Sequence, residues 1–467
     1  MEILIGFLTV VLLTVFIVQI GKARELVSIV RDDKNEEYEI NKTQAGLGVI
    51  FMVLFLLACI GSFIYYAPYM LGWGVNTAAS AHGPEVDYMF NLTLFITSIV
   101  FFATQVALFW FAWKYRGRPG HKAIYWAHNE QLEMVWMLIP AVAMTFLVVG
   151  GLKAWNEIMA DVKEGEEYME IEATGFQFNW NIRYGGRDGK LGERDFRRID
   201  ATNGLGQNWA DEKNIDDFNS GTIVLPVNKK IRVRITSRDV LHNFYLPHFR
   251  VKMDAVPGMP TYFVFTPTVT TDSMRARLSQ DAAWQVPDKK DPTKKRYETF
   301  DYVLACAELC GKKHYNMQVP LKVVTQEEYD EWFNAQEKNS TYLSTVRNSA
   351  KDPFKDKASL TFEQILAEKE LVNAKVKAVD DALKAANKAG QADQVMKLTA
   401  ALTSLKGVQK KAITVLTVAE MQDLVREASR IEGEVLTVAP PTPAPSDSTA
   451  TDSTATTTAV DTSKVTN

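Results

Sequence analysis

Cysteine is nearly absent from this chain, with three residues in 467. No Cys-x-x-Cys-His occurs, which excludes a covalently attached haem c on the chain itself. Excess charge of one sign is lacking too: 52 Lys and Arg stand against 56 Asp and Glu, a net −4. No basic cluster is interleaved with aromatics, so neither charge nor pattern points to nucleic acid as a partner. Lys and Arg are missing between residues 67 and 91. After about residue 439 apolar side chains become too sparse for folding, and a Pro-, Ser-, Thr- and Asp-rich tail, 439–467, is expected to be disordered. The chain thus segregates into an apolar first third and a polar last quarter.

Four apolar runs are long enough to span a bilayer, at about 3–20, 46–66, 92–113 and 134–155. The first begins Met-Glu without a basic n-region, and no small-x-small cleavage site follows, so it is expected to be retained as a helix. Lys22, Arg24, Arg31, Lys34 and Lys42 follow the first run, and Lys114, Arg116, Arg118 and Lys122 follow the third. By the positive-inside rule both loops are cytoplasmic, and the N-terminus and everything after residue 155 lie outside. Four spans make this self-consistent, whereas three would place the remaining cysteines in the cytoplasm.

From about residue 168 to 324 the pattern changes to short alternating runs: 168–173, 222–227, 231–236, 261–265 and 302–305. Gly, Pro, Asn and Asp separate them, which predicts an antiparallel sandwich or barrel. Two polar inserts interrupt it, 183–221 and a basic 288–296, each read as a solvated loop or a docking surface. Beyond 324 the chain turns helical. Val372, Val376, Val379 and Leu383 form one stripe and Val395, Leu398, Leu402 and Leu405 another, with Gly390 between them. This predicts a helical hairpin, either packed on itself or serving as a partner-binding arm.

Cys59 lies in an apolar run and reads as a small buried hydrophobe. The other two cysteines stand in Cys306-Ala-Glu-Leu-Cys310-Gly-Lys-Lys-His314-Tyr-Asn-Met317, which gathers two thiols, an imidazole and a thioether into twelve residues. Soft sulfur ligands beside an imidazole suit copper better than calcium or magnesium. One more ligand is needed from elsewhere, and His242 in Asp239-Val-Leu-His242 is the natural candidate. A disulfide, or a zinc site of Cys306, Cys310, His314 and His242, is chemically open. Both leave Met317 without a role. A copper-delivery protein would have a thioredoxin-like βαβ pattern around its cysteines, and none is evident.

One His between two β-runs, with the other ligands late on a single loop, resembles the cupredoxins. More specifically, the stretch from about 92 to 332 resembles subunit II of bacterial haem-copper cytochrome c oxidases (the aa3-type family). The motifs are Leu132-Glu-Met-Val-Trp-Met-Leu-Ile-Pro140, Gly175-Phe-Gln-Phe-Asn-Trp180, Asp239-Val-Leu-His242, Val251-Lys-Met-Asp-Ala-Val-Pro-Gly258, the cysteine loop and Glu327-Glu-Tyr-Asp-Glu-Trp332. The resemblance implies a membrane-anchored α+β chain in five parts. These are two extra transmembrane helices (1–66), a transmembrane hairpin (67–165), a periplasmic cupredoxin-like sandwich (166–335), a helical extension (336–438) and the tail (439–467).

It further implies that His242, Cys306, Glu308, Cys310, His314 and Met317 bind a dinuclear Cu(A) centre, with bridging thiolates and with the Glu308 carbonyl and Met317 as weak ligands. The Glu308 carboxylate would reach Mg2+ shared with subunit I. Glu133 would serve proton uptake at the cytoplasmic mouth of the fourth span. Phe178 and Trp180 would mark the region of electron uptake, although the family usually has Trp where Phe178 stands. Tyr is common where Asn179 stands, and Arg where Met259 stands. Lys252 and Asp254 fall where the family meets its haem-bearing subunit. The implied partners are subunit I, subunit III, membrane lipid and a cytochrome c donor, one held in the membrane or a complex given the Phe178 departure. The implied location is the bacterial cytoplasmic (inner) membrane. The implied activity is electron transfer to a separate haem-copper chain that reduces O2 to water and pumps protons. A quinol-oxidase branch would lack the copper ligands.

Overall fold

The computed structural model describes residues 2–31, 34–66, 77–118 and 120–436; the expected disordered tail lies outside them. The chain falls into two compact units, residues 1–362 and 363–467.

The first unit begins with four helices, α1 (Glu2–Val30), α2 (Lys34–Tyr66), α3 (Gly83–Lys114) and α4 (Glu130–Ile158). Pro84 opens α3, where a missing N–H costs nothing. Asn129 caps α4 by accepting from Leu132 N, and Glu133 accepts from Asn129 N at 3.2 Å. Among the described residues three stretches are long and apolar enough to cross a membrane: Lys42–Tyr66, Gly83–Lys114 and Glu130–Ile158. Their apolar side chains, such as Phe95, Ile139 and Phe146, are exposed rather than packed, as a lipid solvent requires. The first apolar run is also helical, within α1.

Ten strands follow: β1 (Met169–Phe176), β2 (Asn179–Tyr184), β3 (Phe218–Ser220), β4 (Ile223–Pro226), β5 (Ile231–Ser237), β6 (His242–Leu246), β7 (Val251–Ala255), β8 (Thr261–Phe265), β9 (Tyr302–Cys306) and β10 (Gln318–Val324). They form two five-stranded sheets, β3-β2-β1-β5-β8 and β4-β10-β9-β6-β7. Alternation sets the core: Ile231, Val233 and Ile235 of β5 are buried, as are Val319, Leu321 and Val323 of β10. The sandwich is as expected, but its sheets are mixed rather than antiparallel. β1 pairs with β5 and β4 with β10 in parallel. Both pairs join strands separated by long excursions of chain, the connection a parallel neighbour needs and a hairpin does not.

The sandwich is fastened to the membrane helices just before α3. Ala79 N donates to His248 O at 2.7 Å, Ala81 N to Thr266 O at 3.0 Å, and Thr268 N to Ala79 O at 2.8 Å. Arg250, in a left-handed conformation at φ 55, donates Nε to Asp87 Oδ1 at 2.6 Å and Nη2 to Oδ2 at 3.0 Å. This half-buried fork ties the β6–β7 connection to the first turns of α3.

The insert 183–221 is not a solvated loop. It folds around the fully buried Arg183, which bonds Glu172 and Asp217 at 2.8 Å each and Asn214 Oδ1 at 2.9 Å. Burial pushes the Asp216 carboxyl beside this network up to about 7, with Asp188 adding like charge. After α5 (Thr271–Leu278) comes the basic insert, then β9 and β10. α6 (Gln326–Gln336), started by a Thr325/Glu328 capping box, lays Trp332 and Phe333 against Phe218. α7 (Thr341–Thr345) brings Tyr342 against Trp209, and Arg187 pairs with Glu337 at 3.0 Å. Residues 337–362 therefore pack with the sandwich rather than with a separate extension starting at 336.

Among its described residues the second unit has three helices, α8 (Thr361–Lys388), α9 (Ala392–Lys411) and α10 (Val418–Leu436). The two predicted stripes meet in its core, and Gly390 makes the turn at φ 70. The expected hairpin is incomplete: Ala428 and Ile431 of α10 complete the same core. Two helices alone would leave one side of both stripes wet.

Candidate metal centre

β9 and β10 form an antiparallel pair, and residues 307–317 close it as a loop. Cys306 N donates to Met317 O at 3.1 Å across the loop's base. β6 lies on the other side of β9, with Phe244 opposite Cys306. His242, two residues earlier on the same face, therefore arrives beside the loop although it is 64 residues away in sequence. Asp239 receives His242 Nε2 at 2.8 Å, fixing the ring so that Nδ1 faces sulfur. The Asp239 carboxylate is held below its usual range; burial opposes this, but the Gln177 N–H and the imidazole outweigh it.

Cys306 Sγ lies 3.8 Å from His242 Nδ1 and 3.2 Å from the Glu308 carbonyl. Cys310 Sγ lies 3.6 Å from His314 Nδ1 and 3.7 Å from Met317 Sδ. The two sulfurs are 3.8 Å apart. Each thiol thus has its own imidazole and its own weak donor. The ligand atoms of His242, Cys306 and Cys310 all lie within 4.8 Å of one another. His314 stands outside that trio, so one tetrahedral ion would not engage both imidazoles without rearrangement. Two half-sets sharing a thiol pair suit two soft ions. Burial, then the neighbouring Cys306, push the Cys310 thiol up to about 11, so a metal has to displace its proton.

Close approach shapes the shell. A Cβ on Gly175 would sit 2.9 Å from His242 Cδ2, and one on Gly311 2.9 Å from the Phe178 ring. Gly311 also has φ 134, a region that suits only glycine. Gln177 Nε2 donates to Cys310 O at 2.6 Å. Trp180 packs its ring 5.9 Å from His242 and 5.8 Å from Phe244, and is 3% exposed. Phe178, half-buried, covers the loop from outside, whereas Leu309 and Tyr315 are exposed on it. The Glu308 side chain is exposed. Lys252 Nζ stands 5.9 Å over the Tyr245 ring, and Asp254 accepts from Asn243 at 2.6 Å. Glu133 is not part of this centre, since it lies in the first turn of α4, the end remote from the sandwich.

Sequence reasoning brought together His242, Cys306, Cys310, His314, Met317 and the Glu308 carbonyl. It gave no role to Asp239, Gln177, Gly175 or Gly311. Asp239, three residues ahead of the histidine in a quoted motif, was the readable clue.

A membrane-anchored β-sandwich whose β9–β10 loop presents sulfur and imidazole defines a cupredoxin-like, metal-competent anchored domain. Profiles of two family domains match: "Cytochrome C oxidase subunit II, periplasmic domain" over residues 169–271 and "Cytochrome C oxidase subunit II, transmembrane domain" over 68–153. An alternative cytochrome c oxidase subunit 2 of Bradyrhizobium diazoefficiens is 31% identical over 286 residues, 61% of this chain and 91% of that protein. A cytochrome c oxidase subunit 2 of Cereibacter sphaeroides is 25% identical over 288 residues, 59% and 84% of the two chains. The solved periplasmic domain of subunit II of cytochrome oxidase of Bradyrhizobium japonicum is 26% identical, covering 38% of this chain and 99% of that one at a TM-score of 0.24. The chain belongs to the cytochrome c oxidase subunit II family and is a component of a haem-copper oxidase.

Proposed function

We propose that this chain takes electrons from a cytochrome c donor at a dinuclear Cu(A) centre and passes them to subunit I, where O2 is reduced to water with proton pumping. The observation that supports it best is the paired donor set, Cys306 with His242 and Cys310 with His314, sharing two sulfurs 3.8 Å apart. When bound, the copper pair supplies one-electron redox chemistry with the charge spread over two metals. The chain's own residues supply rigidity. Asp239 holds the His242 ring, Gln177 holds the Cys310 carbonyl, and Trp180 with Phe244 excludes water beneath the imidazole. A loop fixed at both strand ends changes little between oxidation states, which favours fast transfer.

On the same reading the Glu308 carboxylate binds Mg2+ at the subunit I contact, Glu133 takes up protons from the cytoplasm, and subunit III completes the assembly. Phe178 and Trp180 mark the region of electron uptake, and the donor is a membrane-held or complex-held cytochrome c. α1 is a fourth span, and the N-terminus and sandwich face the periplasm of a bacterial inner membrane.

Metal analysis with electron paramagnetic resonance of the purified complex tests the centre. Two coppers per chain sharing one unpaired electron is the expected outcome. One silent Cu(I), or zinc alone, would replace this reading with metal delivery or a structural scaffold.

A further inference from the structure

The basic insert after α5 lies at the end of the sandwich from which the membrane helices emerge. Trp284 packs its ring 5.6 Å from Phe300, and Phe300 packs 5.2 Å from His248. The His248 carbonyl accepts the Ala79 N–H, four residues before α3 begins. Arg275 of α5 holds the insert's exit through Phe300 O at 2.8 Å and Asp301 at 2.9 Å. Two ring contacts and one hydrogen bond therefore connect the insert to the segment that opens α3.

The insert is an ordered platform. Pro287 bridges to Lys295, Asp288 N donates to Lys294 O at 2.9 Å, and Arg296 N donates to Val286 O at 2.9 Å. Its charges are unequally engaged. Asp288 accepts from Lys290 N at 2.7 Å, Asp291 N at 3.0 Å and Thr299 Oγ1 at 3.0 Å, and Asp291 accepts from Thr293 N at 3.2 Å. The carboxylates are thus engaged in shaping the turn. Lys289 and Lys290 are exposed, Lys290 with only the Asp288 carboxylate nearby; Lys295 meets the neutral Gln285 amide, and Lys294 is paired loosely with Asp291 at 3.7 Å. Arg296 Cζ stands over the Trp284 ring at 4.1 Å, and the Arg296 N–H donates to the carbonyl of the exposed Val286. Bases near the exit of α4 differ, since Lys229, Lys230 and Arg232 are paired with Glu167, Glu166 and Asp161.

We propose that residues 284–297 form a binding surface for anionic phospholipid headgroups, with Lys289, Lys290, Lys294 and Lys295 meeting phosphate and Trp284 and Val286 resting at the interface. The inference depends on the membrane anchorage of α3 and α4 and not on any metal. Exposed lysines in excess over the carboxylates beside them, next to an amphipathic ring, are the features that attract anionic lipid. The occupant is lipid rather than an acidic polypeptide because Phe300 and His248 tie the platform to Ala79, four residues ahead of the apolar stretch Gly83–Lys114.

Hydrogen exchange of the full chain in nanodiscs tests this. Discs of phosphatidylcholine are compared with discs containing phosphatidylglycerol. Exchange across 284–297 is expected to slow at least tenfold in the anionic discs. It should return to the neutral-disc rate in 0.5 M salt and show no slowing in K289Q/K290Q/K294Q/K295Q, while β9 and β10 exchange unchanged as a check on folding. The wild-type comparison stands even where the variant is unstable. Equal exchange in both lipids overturns the proposal. So does protection that appears only when partner subunits are added, which assigns the surface to protein docking.

Discussion

Asp239 and Asp216 show how single side chains set the behaviour of this protein. Asp239 touches no candidate ligand atom at sulfur, yet it orients the ring that does. Asp239→Ala should leave the fold intact and lower copper retention about 10- to 100-fold against a chelator, the usual effect of losing such a support. Asp216 works through protons. Its ordinary value is 3.8 and the folded value is about 7. Between those limits the unfolded chain has released this proton and the folded chain has kept it, so this residue's contribution to stability falls as pH rises from 4 to 7 and then levels. Asp216→Asn should remove that slope. The gap in melting temperature between variant and parent should widen in the variant's favour from pH 5 to pH 7.5. Asp239 was half legible, because it stands three residues ahead of His242, but the Gln177 N–H reaches it from the distant β1–β2 turn. Asp216 was not legible, since it is buried only because the insert folds around Arg183.

Among elements, the β9–β10 loop was the easiest to read, because its chemistry is concentrated in twelve residues and one strand pair. What it rests on was not readable. Gly311 gave no hint of its role until the Phe178 ring was seen to occupy the space of its missing Cβ. Gly311→Ala should displace that ring or the loop, so the bound-copper spectrum should broaden and metal should be lost faster on dialysis. Gly165→Ala, also at positive φ but with open space around it, should strain only its own turn and leave the spectrum unchanged. The parallel pairings β1–β5 and β4–β10 escaped prediction because alternation reports which side chains are buried and not which strand is the neighbour. α10 escaped although Met421, Leu424, Ala428 and Ile431 have helical spacing. Two stripes already satisfied each other on paper, and a third partner was not required until volume was considered.

For the molecule as a whole, the membrane part and the sandwich are joined by few but well-made contacts. Arg250→Gln removes the fork to Asp87 and should cost about 2 kcal/mol, read as a lower melting temperature of the full chain, because a carboxylate is left without its cation in a half-buried place. The helical unit from residue 363 onward has its own core. A chain ending at Phe362 should therefore keep an unchanged copper resonance, and loss of that resonance would show that the second unit supports the first.

The 64-residue separation between His242 and Cys306 also has a consequence for biosynthesis. No growing fragment that ends before β9 carries a complete ligand set, and none becomes complete until β6 has found β9. The full donor set is therefore a property of the finished sandwich rather than of any shorter fragment of it.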